Sequence, residues 1–388
     1  MKRRDSLVIC GITAILLLFL IIDNSYASVD NSRVVILQEL GQIDTPGLAR
    51  DVIIRGDIAY VADMGSPTST YGGLLIFNVS EPENPTEMGY FYDGGRSHHL
   101  FIKEDIILIA DNTGGLEIIN VSDPFDPQKI GEFPGVINDL DVQGNIVYAT
   151  DFYEGLIVLD ISNITHPTEI GRFENLVSAQ PITVVNNLAF VTDSNGLKIL
   201  NVTDASNIAE IANYNFRVSN LQFHDNTAYV VCSHAQADPS DGFKILDTNN
   251  LLNITEVGAF HDGGKLIDLA VNHAESAAIV SDRDDGIEVI DIRDPFHLTK
   301  IGQYYDGGNA TNIQVVGDLL FVADGVDGLE IIKIEYKSAA SSSCSAFSSL
   351  SSDTKSSGPG FELSLLLLSL FSLPVLRKWK TRRKKRES

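Results

Sequence analysis

The chain has 388 residues, 44% of them hydrophobic, and 52 acidic against 28 basic side chains give a net charge of −24. Such a field repels nucleic acid and favours cations or basic partners, and it also suits a salty surrounding. Cys10, Cys232 and Cys344 are the only cysteines, too few for a disulfide framework or a cysteine metal centre.

In chain order, the first segment is residues 1–27. Lys2, Arg3 and Arg4 precede an apolar run from Leu7 to Ile22, and Ser25-Tyr26-Ala27 supplies small residues for cleavage. This order predicts a secretory signal peptide cut after Ala27, with an uncleaved anchor as the alternative. Cys10 lies too early in the run, after Ile9, to be a lipid-attachment site.

Residues 33–336 are repetitive. Related stretches start at Gly73, Gly115, Gly155, Gly196, Gly242, Gly286 and Gly328, and GLEIINVSDPFDPQKIGEF from Gly115 to Phe133 is the clearest copy. A period just above 40 residues, built of short apolar runs, predicts propeller blades of four strands each. In the second repeat the strands fall near His98 to Lys103 (A), Ile106 to Asn112 (B), Gly115 to Val121 (C) and Pro127 to Phe133 (D). Strand C is apolar at both parities, as a sheet covered on both faces requires. The B–C turn begins with Asp in six copies (Asp63, Asp111, Asp151, Asp193, Asp282, Asp324), whereas Cys232 stands at that place in the fifth. Asp caps such a turn and Gly supplies its positive φ. Pro82, Pro124 and Pro295 follow strand C, in the loop before the outer strand.

The seventh copy ends after strand C at Tyr336. Leu40-Gly-Gln-Ile43 through Asp51 aligns without a gap on Ile301-Gly-Gln-Tyr304 through Asn312. The expected fold is therefore all-β, a seven-bladed β-propeller whose N-terminal strand closes the last blade and leaves no open edge. On Leu156-Ile-Val-Leu-Asp160, Leu116-Glu-Ile-Ile-Asn120 and Ile287-Glu-Val-Ile-Asp291, residues 33–336 resemble the LVIVD repeat family. That resemblance implies a propeller of surface or secreted proteins and is nearly silent on activity.

Beyond the repeats, 337–360 is Ser-rich and reads as a stalk, 361–376 is an apolar transmembrane or sorting segment, and 377–388 carries eight cations expected in the cytoplasm. Sixteen apolar residues are short of the roughly 20 that a span needs. Pro359-Gly360-Phe361, the apolar segment and the basic end resemble the PGF-type C-terminal sorting signal of archaeal surface proteins, which implies processing and a lipid link. Either outcome puts the propeller outside the cell, anchored to the membrane by its C-terminus.

No nucleophile elbow, His-Glu-x-x-His pattern, phosphate-cradling loop or twelve-residue calcium loop is present. Irregularity is the remaining guide. The B–C turns of the first and fifth repeats hold nine residues each, Met64 to Gly72 and Ser233 to Asp241. Such departures map to a binding face. Tyr71, His234 and Asp238 lie in them, and His98, His99 and His261 belong to the same end of the barrel, so these six are candidate ligand residues. The starts of the innermost strands align as Asp51, His99, Asp139, Pro181, Asn220, Asp268 and Asn312. Of these, Asp51, His99, Asp139 and Asp268 are a candidate divalent-cation set for an ion such as calcium, although no cofactor is required. A wet channel explains their polarity equally well. Asn78, Asn120, Asn163, Asn201, Asn253 and Asn309 begin glycosylation sequons, and the loop positions Asn163, Asn253 and Asn309 are the better acceptors. The expected function is a monomeric cell-surface binding or adhesion module for a protein or glycan. The alternative is an extracellular propeller enzyme, metal-dependent or not, acting at the channel mouth.

Overall fold

A strand that is apolar on both faces is stable only when sheets cover it from both sides. The computed structural model describes residues 33–65, 72–92, 94–233, 241–261, 263–283 and 285–338, and it meets this demand by radial repetition. The described residues form seven four-stranded antiparallel sheets. In blade 2 these are His99–Lys103, Ile106–Ala110, Leu116–Asn120 and Gln128–Phe133, within two residues of the expected bounds. Leu116, Glu117, Ile118 and Ile119 of strand C are all buried, whereas of strand D only Gly131 is, as befits the rim. The core is a circuit of inter-blade clusters. One of them joins Leu108, Leu116 and Ile118 of blade 2 to Leu140, Val147 and Leu159 of blade 3.

The Ile-Gly-x-aromatic pattern of strand D has a geometric cause. The C–D register shifts between Ile118 and Ile119, opposite Gly131. A Cβ on Gly131 would stand 2.2 Å from the Ile164 carbonyl oxygen in the next blade's C–D loop. Gly115 opens strand C at φ 87°, as its turn requires.

Closure follows the expected route. Arg33–Ile43 pairs antiparallel with Leu329–Ser338, from Ile43↔Leu329 to Arg33↔Ser338. Gly41↔Ile331 places the same bulge that Gly131 makes in blade 2. The pairing carries strand C two residues past Tyr336, so Lys337 and Ser338 belong to the propeller instead of the Ser-rich stalk. The fifth repeat also completes its sheet, with Cys232 buried where the others have Asp. The expected signal peptide, the expected stalk from 339 onward, the apolar segment and the basic tail lie outside the described residues. Among the described residues, no helix is long and apolar enough to cross a membrane.

Candidate functional site

The innermost strand of each blade has a free edge, because neighbouring inner strands splay too far apart to share a ladder. Buried N–H groups on that edge need acceptors. At four seams a side chain of the preceding blade supplies one. Asp51 Oδ2 accepts from Leu100 N at 2.6 Å, Asp139 Oδ2 from Ile182 N at 2.8 Å, and Asp268 Oδ2 from Ile313 N at 2.8 Å. Asn312 Oδ1 accepts from Val52 N at 3.2 Å, which carries the stitching across the closure. A second tier lies two residues further along, as strand periodicity dictates. There Asp141, Gln222 and Gln314 accept from Val184, Val271 and Ile54.

All seven aligned residues, Asp51, His99, Asp139, Pro181, Asn220, Asp268 and Asn312, line one cavity of about 420 Å³. His98 and Arg50 line it too. His99 spans three blades, with Nδ1 3.0 Å from Asp51 Oδ2 and Nε2 3.4 Å from Asp139 Oδ1. Burial alone would depress the imidazolium, but the Asp139 and Asp51 carboxylates outweigh it and hold the group up at about 10. The ring is 36% exposed to the channel, so water reaches it although protein encloses it. His98 behaves oppositely. Burial, with Arg50 and Arg96 nearby, pushes it down to about 4. Asp268 is lifted to about 7 by burial, and burial also raises Asp139. Asn220 donates to Asp268 Oδ1.

This geometry bears on the cation set of Asp51, His99, Asp139 and Asp268. A protonated imidazole has no lone pair for a metal, and the carboxylates beside it already accept backbone N–H groups. The set brings its own cation, His99 itself. Among the described residues, the group whose carboxylates converge closely enough for an ion is Asp306, Asp324 and Glu330, elsewhere in the ring.

The turn aspartates do more than cap their own turns. Asp63 accepts from Gly65 N (2.6 Å) and also from Gly47 N (2.8 Å) and Leu48 N (3.0 Å) of the loop leading into the blade. Asp151 repeats this with Tyr153, Glu154 and Val136. Each carboxylate thus fastens the B–C turn to the D–A loop at one end of the barrel, the end where the cavity opens.

Of the six candidate ligand residues, His98 and His99 meet in the cavity, while His261 is exposed and its ring contacts the Asp241 carbonyl. Tyr71, His234 and Asp238 lie outside the described residues, as do 66–71 and 234–240 of the two long turns. Asn163 and Asn253 are exposed. Asn309 is not presented in the same way. Its side-chain oxygen is buried, and the Thr311 hydroxyl of its sequon is committed to the Ala49, Arg50 and Ala323 carbonyls. Sequence reasoning missed Arg50, Asp141, Gln222 and Gln314. Reading each inner strand two residues further would have found the last three.

A family model described as the LVIVD repeat matches residues 46–93, 94–133, 134–175, 178–216 and 307–349. No curated protein matches the chain by sequence. Among solved structures, it is similar to virginiamycin B lyase from Staphylococcus aureus, with 13% identity, TM-score 0.59, and coverage of 77% of this chain and 99% of that one. It is also similar to the Neurospora crassa Pan2 WD40 domain (12% identity, TM-score 0.58, 79% and 96% covered) and to the computationally designed protein Ika8 (10%, 0.57, 76% and 99%). At these identities the likeness is one of fold, shared by proteins of different function.

Proposed function

From the premise that the chain belongs to the LVIVD repeat family, we propose that it is an exported binding module that engages a protein or glycan through the channel-mouth end. One observation carries the reading. Seven equivalent positions, one per blade, converge on a single polar cavity of about 420 Å³, at the end that also bears both nine-residue turns. The lining mixes donors (His99, Arg50, Asn138) and acceptors (Asp139, Asp141, Asp268), and more of its surface is polar than apolar. Such a lining fits a hydroxyl-rich sugar or a cationic group better than an apolar ligand. C-terminal membrane anchoring, as the composition of the tail implies, would hold the module at the cell surface.

The test is to shorten Met64 to Gly72 and Ser233 to Asp241 to three-residue turns. Binding to a glycan array and to intact cells should fall at least tenfold while Tm moves by less than about 2 °C, since polar turn residues bury little. Retained binding refutes the assignment.

A second reading rests on the adjacent histidines. His98 is held neutral and His99 protonated at neutral pH, a separation that suits acid–base catalysis. An enzyme acting here would need both, so His98→Gln and His99→Gln would each abolish turnover. A pure binder would respond only to the substitution whose group touches the ligand.

A further inference from the structure

The second residue after the glycine that opens strand C is buried or half-buried in the inter-blade seam, and in four blades it is half of an ion pair with strand D. Glu117 meets Lys129 at 2.7 Å in blade 2, and Glu288 meets Lys300 at 2.6 Å in blade 6. Blades 4 and 5 reverse the polarity, with Lys198–Glu210 at 3.2 Å and Lys244–Glu256 at 2.7 Å. The pairing is what makes burial of such a charge tolerable.

Blade 7 breaks this rule. Its strand C residue is Glu330, 2% exposed. The register puts Glu39 opposite Ile332, as it puts Lys129 opposite Ile119 and Lys300 opposite Ile290. A carboxylate therefore stands where the other two glutamate blades have an ammonium. Two more carboxylates close on Glu330: Asp324, 2% exposed, from the B–C turn, and Asp306 from the D–A loop. One oxygen from each of the three lies within 4.8 Å of the others. Glu330 Oε1 and Asp324 Oδ1 are buried without any hydrogen-bond partner. Glu39 is drawn aside by the Tyr304 hydroxyl, which donates to Oε2 at 3.0 Å. Beside the carboxylates is a cavity of about 10 Å³, the room of one water or ion.

We propose that Asp306, Asp324 and Glu330 bind one hard divalent cation of the calcium class in the seam between blades 6 and 7, where the ring closes. An all-oxygen donor set selects calcium, magnesium or manganese over zinc and copper. Exposure of Asp306 leaves room for water ligands, and unmatched loop geometry suits calcium better than the strict octahedron of magnesium. The ion does for blade 7 what lysine does for blades 2 and 6. Without a cation the cluster must take up protons. Burial raises Glu330 to about 10 and Asp324 to about 6, and Glu330 then shares a hydrogen bond with Asp306.

The test uses the full chain, freed of metal with a chelator and titrated with calcium chloride. Calorimetry should show one calcium per chain, and Tm should rise by about 4 °C at one hundred times Kd, the linkage expected for a propeller of this length. Glu330→Gln should abolish both responses, and Glu83→Gln, at an exposed carboxylate in blade 1, should keep them. Glu39→Lys restores the ion pair of blades 2 and 6, so it should raise the Tm of the metal-free protein and remove the calcium response. No response to calcium, magnesium or manganese would overturn the proposal. So would a calcium response that persists in Glu330→Gln, or a cluster stabilised by acidification alone, which would mean a shared proton only.

Discussion

Val35 and Val34 are neighbours on the closing strand with opposite fates, and truncating each to Ala measures how the ring is shut. Val35 is 5% exposed and lies between blades 6 and 7, in a cluster with Ile279, Val289 and Ile332, while Val34 is 49% exposed. Removing two buried carbons at about 0.8 kcal/mol each, plus the cavity left behind, puts Val35→Ala at about 2–3 kcal/mol. Val34→Ala should stay within about 0.5 kcal/mol. Unfolding entropy near 2.1 cal/mol/K per residue, over about 300 residues, converts the first figure to a Tm fall of about 3–5 °C. Urea unfolding followed by tryptophan-independent far-UV signal, with the midpoint shift read at constant m, is the assay. Equal effects at the two positions, or a cost below about 0.5 kcal/mol at Val35, would mean that Arg33–Ile43 is not seated in blade 7.

Three further outcomes follow. His99 has a folded value near 10 against an ordinary 6.5, so its stabilising contribution is complete below about pH 6.5 and is lost as pH rises to about 10. His99→Gln should flatten the upper part of the stability–pH profile; an unchanged slope between pH 7 and 10 would refute the Asp51–His99–Asp139 arrangement. Asp268, held near 7, makes stability decline as pH rises from about 4 to 7, and Asp268→Asn should remove that component. A chain ended after Ser338 should leave the membrane fraction as folded protein, whereas ending it at Tyr336 should lose the Arg33↔Ser338 and Val34↔Lys337 pairs and melt lower. Membrane association that survives the cut after Ser338 would disprove C-terminal anchoring.

The architecture was legible in the sequence because each blade is a local unit. Strand C is apolar at both parities, Asp opens six of the seven B–C turns, and Gly sits at six of the seven strand D bulges, with Ala212 at that place in blade 4, so seven near-copies report the same short-range constraints. Even the closure could be read, since Leu40 to Asp51 repeats Ile301 to Asn312. Seam chemistry was not legible, because it depends on which side chains from different blades arrive at one point. His99 in isolation looks like a metal ligand; only the arrival of Asp51 from blade 1 and Asp139 from blade 3 makes it a cation. Asp51, Asp139 and Asp268 look like a site, yet the splay of the inner strands decides that they first satisfy Leu100, Ile182 and Ile313 N–H groups. Glu39 and Glu330 lie at opposite ends of the propeller sequence, and ring closure alone puts Glu39 beside Glu330, where every other glutamate blade has a lysine. Repetition writes the fold many times over in sequence, but charge is settled by long-range proximity, which no single repeat contains.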